Sequence, residues 1–500
     1  MSPRTALRRP LPASVSIVAL ALAACAPEAP RPRGPYRHVV LVSLDTVRAD
    51  HLGCYGAAGA RTPNLDALAA RGVLFEAAST AAPTTLASHV SILTGRPPHA
   101  HGVARNGFTT AAFLGSFALD RRFGFDQGFA HFDDDFSLEV DGSRFDQDQR
   151  RAAEVTDAAL AWLDRAEPEH AFLFVHYFDA HAPYDPPAPF APAGLEPGLP
   201  ARIEAAVRAQ QARAGAPPAG QEAVIRAGLS RELVCGADGE PQAADRELAA
   251  LYAGEVAYVD REVGRLLEGL RARGVLDDAL VLVLADHGET FHEHGDFWNH
   301  GLAVYETTVH VPLIVAGKGL AAGTRVAQPV STIDVAPSVL ELCGLPAPAR
   351  AEGVSLVRAL RGAPFERGAT VACEATQPPS VEAGERWPNA RKAKCVRKGP
   401  FKYVVTPYLG LEELYDLSAD PGERRNLLAG CGPPPADGGV EGLPDLVRGL
   451  RAALDAYERA ADPLPSRFDR SQLEETLRKL KGLGYVEGAD DDARGAQRPR

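Results

Sequence analysis

The run His38-Val39-Val40-Leu41-Val42-Ser43-Leu44-Asp45 is apolar at almost every position and stops on a carboxylate. A strand with one wet face alternates polar and apolar side chains. This run does not, so it reads as a strand buried on both faces. Runs at 172–178, 280–284 and 311–315 share that character. Three of the four lead directly into acids or histidines: Asp45, Asp179 and the pair Asp286-His287. In open α/β sheets the carboxyl ends of parallel strands are where sites are built. Helical patterns lie between the runs. Thr62-Pro63 reads as an N-cap with Pro at the first helical position, opening a helix that ends near Gly72. The stretches 150–165 and 245–273 are longer amphipathic patterns. This alternation predicts an α/β/α sandwich around a large, mixed, mostly parallel sheet.

Outward from these runs the character changes. From 184 to 243 the chain is rich in Pro, Ala and Gly and reads as an insertion, or lid, over the carboxyl edge of the sheet. Beyond 350, short strand-like pieces at 369–373 and 401–405 and a helical pattern at 443–460 predict a smaller C-terminal α+β subdomain over 351–486. The polar tail 487–500 is expected to be disordered. No internal repeat is present.

With 45% hydrophobic and 24% charged residues, the 500-residue chain can bury a sizeable core. A net charge of -12 argues against nucleic acid as a partner, because phosphate backbones need a basic face. Arg4, Arg8 and Arg9 precede an apolar run at 15–22 that is shorter than the ~20 residues a spanning helix needs. The segment closes on Leu22-Ala23-Ala24-Cys25, which resembles the lipobox of bacterial lipoproteins. It predicts a signal peptide over 1–25, lipidation of Cys25, a tether over 26–37, and a place in the bacterial cell envelope, periplasmic or outer-membrane/extracellular. A plain signal peptide cleaved near Ala24 is the alternative. Six further cysteines are compatible with disulfides in an oxidising compartment, and Cys373 with Cys395 is a candidate pair.

Five motifs carry chemistry. The first is Val42-Ser43-Leu44-Asp45-Thr46, followed by Gly53-Cys54-Tyr55-Gly56. The second is Pro83-Thr84-Thr85-Leu86-Ala87-Ser88-His89, running into Leu93-Thr94-Gly95. The third is His101-Gly102-Val103-Ala104-Arg105-Asn106. The fourth is His176-Tyr177-Phe178-Asp179-Ala180-His181-Ala182-Pro183-Tyr184. The fifth is Asp286-His287-Gly288-Glu289 with Asn299-His300-Gly301 behind it. Together they resemble the sulfatase family, within the alkaline-phosphatase superfamily, over about 39–486. The resemblance implies an alkaline-phosphatase-like fold, a sulfatase-like catalytic domain over 38–350, and an ester-bond hydrolase. It further implies a divalent metal held by Asp45, Thr85, Asp286 and His287, with His181 and His300 contacting the substrate anion. A histidine ligand leans toward zinc or manganese and the carboxylates suit calcium, so the metal stays open.

The departures from the family pattern narrow the chemistry. Thr85 stands where sulfatases carry the Cys or Ser that becomes formylglycine, and threonine is not a substrate for that conversion. Thr46 replaces the second aspartate of the first motif; Ser88 and His89 stand at the family's Ser and Arg. The family's Gly-Lys-Trp-His is absent after Asn106. Threonine is the nucleophile in relatives that cleave phosphate esters, where Asn106 would serve the oxyanion. Thr85 as a helix cap is the plain alternative. Asp179 and His181 are two residues apart rather than four, which tells against a second metal; His294 is a further candidate on the loop before His300. The reading is therefore a metal-dependent hydrolase of phosphate or sulfate esters acting through Thr85. Its substrate would be an anionic ester, either a small molecule or a glycan or lipid head group. An arylsulfatase-like enzyme without formylglycine, a phosphotransferase of the envelope and a non-catalytic binding lipoprotein on the same fold are the alternatives.

Overall fold

The computed structural model describes residues 34–96, 108–136, 149–182, 184–193, 243–291, 293–295, 299–346, 350–368, 370–375, 392–407, 409–429 and 443–460. The decisive run forms β1 (His38–Leu44), buried along its whole length. Its neighbours are β6 (Ala171–Tyr177) and β7 (Ala279–Leu284), both parallel to it. Ser43 pairs with His176 on one side and Leu284 on the other, so the three strands end level. β4 (Thr109–Phe113) and β5 (His131–Asp133) extend the sheet beyond β6; β8 (Leu313–Ala316), β2 (Val73–Phe75) and β9 (Thr324–Val326) extend it beyond β7. The order is β5-β4-β6-β1-β7-β8-β2-β9. Only β8, antiparallel to both β7 and β2, runs against the rest. The sheet is thus mixed and mostly parallel, as expected.

Strands buried on both faces need helices on both. On the sheet, α4 (Ala243–Ala272) packs against both α1 (Pro63–Arg71) and α3 (Ala152–Ala166). Separately, α2 (Thr85–Thr94) packs with α6 (Val335–Leu342), while α5 (Glu306–Val309) is one short turn before β8. Thr62 does occupy the N-cap position of α1. Its hydroxyl, however, donates to the Asp66 carboxylate and accepts from the Gly53 N–H instead of capping the helix. A short parallel pair, β3 (Ala78–Ser79) with β10 (Val330–Ser331), feeds the chain toward α2.

Leu356, Val357 and Leu360, the latter two on α7 (Val357–Leu360), pack into the main core. The C-terminal sheet is antiparallel, β11 (Val371–Glu374), β12 (Lys394–Lys398), β13 (Phe401–Thr406) and β14 (Leu411–Asp416) in that order. One face buries Val396, Tyr403 and Leu414 under Val447, Leu450 and Leu454 of α8 (Leu443–Arg459). The other buries Cys373, Cys395, Val404 and Tyr415 against Val304 and Val309 of the main domain. Lys402, 1% exposed, crosses that junction to Glu306 at 2.9 Å and Glu423 at 2.8 Å. Among the described residues no helix is long and apolar enough to cross a membrane.

Candidate active site

Because β6, β1 and β7 are parallel neighbours of equal register, their carboxyl ends deliver side chains to one place. Asp45 follows β1, Asp286 and His287 follow β7, and His176 is the penultimate residue of β6. Asp45, Asp286 and His287 are fully buried, and one ligand atom from each lies within 4.8 Å of the others. Asp45 Oδ1 and Asp286 Oδ2 are buried oxygens that form no hydrogen bond, Asp286 Oδ2 lying 3.3 Å from His287 Nε2. Burying carboxylate oxygens without hydrogen bonds is costly, so this pair, with the His287 nitrogen beside it, fits a cation that takes up those lone pairs. Burial, and then the charge of Asp286, raises Asp45 well above the usual carboxylate range. Burial opposes ionisation of Asp286 too, yet His287, His89 and His176 outweigh it and lower its pKa. His287 is raised, because Asp286 and Asp45 outweigh its burial.

Each of these candidate ligands is oriented by a neighbour. His287 Nδ1 lies 2.9 Å from the Gly288 carbonyl oxygen, which leaves Nε2 for the site. The backbone there has no room to spare: a Cβ on Gly288 would collide with the Thr307 carbonyl. His176 Nε2 lies 2.9 Å from Asp45 Oδ2, and burial pushes that imidazole down to about 4. Such histidine–carboxylate pairs behind a ligand fix its direction. Thr46 takes no ligand position: its hydroxyl donates to the Ala180 carbonyl at 2.7 Å and its N–H to Asp286 Oδ1 at 3.3 Å. It does so at φ +56°, a left-handed conformation that a β-branched residue holds only under strain.

α2 brings the hydroxyls. Thr84, not Thr85, is its N-cap residue, and no side chain caps it. Thr85 is therefore the first helical residue with its hydroxyl directed elsewhere: Oγ1 is 3.2 Å from His287 Nε2, and Thr85 is among the groups that partly offset the rise of Asp45. A helix N-terminus also offers free N–H groups and a positive dipole end to an anion. Ser88, one turn on, donates to the Asp286 carbonyl at 2.7 Å and meets Thr80 Oγ1 at 2.9 Å, so it props the strand end. His89 lies between Ser43 Oγ and the Thr85 carbonyl, each 2.7 Å away, and burial pushes it down to about 3. It is a neutral strut where the family pattern has a cationic arginine.

Two further histidines close the group. His300 stands 4.4 Å from His287 and 5.0 Å from His181, centroid to centroid. His181 stacks on Phe178 at 4.3 Å, and burial, followed by His300, pushes it down to about 3. Behind His300 sits Glu289, 1% exposed; its Oε1 is 3.2 Å from His300 Nδ1, and its Oε2 accepts from Tyr184 at 3.3 Å. Burial pushes this carboxyl up to about 7. His176, Glu289 and Tyr184 were not singled out by sequence reasoning. The one signal was placement: each lies within a motif, but which face it turns to follows only from strand register and loop path.

The structure therefore gathers Asp45, Thr85, His181, Asp286, His287 and His300, with Thr46, Ser88 and His89 around them. Two candidates stand elsewhere. Asp179 accepts the Ala152 N–H at 2.8 Å, at the start of α3, and is not in the ligand group. His294 stacks on Tyr305 at 3.8 Å, on the side of the C-terminal sheet. Asn106 and Cys25 lie outside the described residues, as do the 194–242 part of the insertion and the 487–500 tail. A cavity of about 330 Å³ lined by Cys54, Asp66 and Arg325 shares no residue with the site.

Residues 37–345 match the sulfatase family model, and 292–432 match that of the N-sulphoglucosamine sulphohydrolase C-terminal region. A choline-sulfatase of Rhizobium meliloti is 34% identical over 183 residues, 35% of this chain and 32% of that protein. Arylsulfatase K of Homo sapiens is 30% identical over 185 residues, 36% of this chain and 34% of that protein. The chain thus spans about a third of the length of the curated relatives it matches. Among solved structures, a phosphonate monoester hydrolase from Silicibacter pomeroyi superposes with a TM-score of 0.61 at 24% identity, covering 86% of this chain and 96% of its own.

Proposed function

The chain belongs to the sulfatase family, and from that premise we propose that it is a metal-dependent hydrolase of anionic esters with Thr85 as nucleophile. The observation that carries this reading is the Thr85 hydroxyl, 3.2 Å from His287 Nε2 and beside the buried group Asp45, Asp286 and His287. Asp45, Asp286 and His287, with Thr85 Oγ1, would hold a divalent cation, which when bound lowers the pKa of a hydroxyl and offsets developing oxyanion charge. The remaining chemistry belongs to the chain. The N-terminus of α2 orients the ester anion toward Thr85. Thr85 Oγ1 gives up its proton to solvent and attacks the central phosphorus or sulfur in line. The bond to the alcohol oxygen opposite breaks and the alcohol leaves, and water then cleaves the covalent ester to free Thr85 and the inorganic acid. His300, fixed through Nδ1 by Glu289, presents its other nitrogen to the leaving oxygen, and His181 contacts the anion beside it.

Phosphate-type esters are favoured, because the hydroxyl of threonine suits a phospho-enzyme and cannot become formylglycine. The relatives named choline-sulfatase and arylsulfatase K favour sulfate esters as the second reading. Purified protein assayed with a divalent-metal panel on nitrophenyl phosphate, phosphodiester, phosphonate and sulfate esters separates the two. Turnover on none of them with any metal would sink the hydrolase reading. We also propose that Cys25 anchors the chain to the cell envelope. Cys25→Ser should release it from the membrane fraction, and a variant still in that fraction would exclude the lipid as anchor.

A further inference from the structure

Cys373 on β11 and Cys395 on β12 are register partners across the C-terminal sheet, both free thiols. Two residues along, the Ala375 N–H donates to the Ala393 carbonyl at 2.9 Å. By alternation the cysteine pair is one that also exchanges backbone hydrogen bonds, where facing Cα atoms stand about 5.5 Å apart. A disulfide bridges about 4.4–6.8 Å between Cα atoms, so the strands already hold the two at bonding distance. Both side chains, 1% and 4% exposed, point to the face packed on Val304 and Val309. The neighbouring Cys373 thiol, and next the Lys402 ammonium, favour the Cys395 thiolate, whereas burial raises Cys373.

We propose that Cys373 and Cys395 form a redox pair that closes into a cross-strand disulfide, pinning the edge strand β11 to β12. The oxidant is a disulfide, protein-borne or small. The Cys395 thiolate attacks one of its sulfurs, forming a mixed disulfide and releasing one thiol. Cys373 loses its proton to solvent, attacks the Cys395 sulfur and expels the second thiol. Two protein thiols are oxidised and one external disulfide is reduced. Burial bars a bulky oxidant from the closed sheet, so exchange runs while β11 is lifted, during folding or local opening. Once formed, the bond is shielded from reductants by the same burial. Nothing in this depends on the proposed catalysis.

The test uses the full-length protein equilibrated with graded mixtures of oxidised and reduced glutathione in low urea, then acid-quenched, alkylated, digested and mapped by mass spectrometry. The expected result is a linked peptide pair joining Cys373 to Cys395, two hydrogens lighter than the thiol form. The oxidised protein should unfold at higher urea than the reduced one, a difference absent from C373S/C395S. Complete alkylation of both cysteines under oxidising conditions, or linkage of either to another cysteine, overturns the proposal. Should the double variant not fold, the map of the unsubstituted protein decides alone.

Discussion

At the scale of single residues, Thr85 separates the readings most sharply. Thr85→Ala should reduce turnover by at least ~10³-fold, because a covalent route loses its nucleophile, while the fold is kept and metal binding weakens less than in Asp286→Ala. Thr85→Ser keeps the hydroxyl and should retain much of the rate. Full activity in the alanine variant would dismiss Thr85 and turn attention to Ser88. Asp286→Ala removes a ligand charge and should weaken metal binding by more than the ~10–100-fold typical of groups behind the ligands, read by metal titration. Unchanged metal content would refute the assignment. The same titration should weaken as pH falls. Protons compete for His287 and Asp45, whose pKa values are both raised in the protein, so the competition begins at higher pH than for ordinary groups. Glu289 and His176 were beyond sequence reasoning because a lone acid or histidine inside a motif has no visible partner. Only the fold sets Glu289 against His300 and His176 against Asp45.

At the scale of elements, the junction of α5 with the C-terminal sheet gives a pH prediction. Lys402 and Arg397 overcome burial and hold Glu306 down to about 2, while burial pushes Glu423 up to about 7. The two acids therefore act in opposite senses. Glu306 is charged in the fold and stabilises it above ~4.5, losing that effect as pH falls toward 2. Glu423 is favoured neutral, so its contribution is complete below ~4.5 and disappears as pH rises through about 7. Glu423→Gln should keep the neutral partner at every pH. Its melting temperature, minus that of the parent, should climb between pH 4.5 and 7 and level off above; a flat difference would show that Glu423 ionises freely. Elements of this kind were legible in part. Strands buried on both faces announced β1, β6 and β7, since unbroken apolar runs have few other uses, and amphipathic period announced α3 and α4. β2, β9 and β10 were not legible, because two or three residues carry no period. The N-cap of α1 was placed correctly, but its hydroxyl was claimed by Asp66.

At the scale of the molecule, the sheet brings residues 45, 85, 181, 286 and 300 to one edge, so the site exists only when distant strands have paired. The C-terminal sheet backs this assembly through Val304, Val309 and Glu306. A chain ending at residue 362 would uncover those apolar side chains and leave Glu306 without Lys402 and Arg397. Exposing buried apolar side chains costs about 1.5–3 kcal/mol each, enough in sum to consume much of a domain's stability. Such a chain should aggregate or lose metal binding, as read by light scattering and metal titration; a soluble, fully active product would show the backing to be dispensable. The reversed strand β8 carries a different consequence. In a wholly parallel sheet a loop leaving the carboxyl edge must travel back across a face before the next strand begins. Here β7 runs up and β8 runs down beside it, so 285–312 is one long hairpin tip holding Asp286, His287, Glu289 and His300. Half of the chemistry is thereby a cassette with both ends anchored side by side. The β7–β8 ladder thus holds both ends of the segment, while Val304, Glu306 and Val309 tie its second half to the C-terminal sheet, so the catalytic side chains it carries are fixed from two sides.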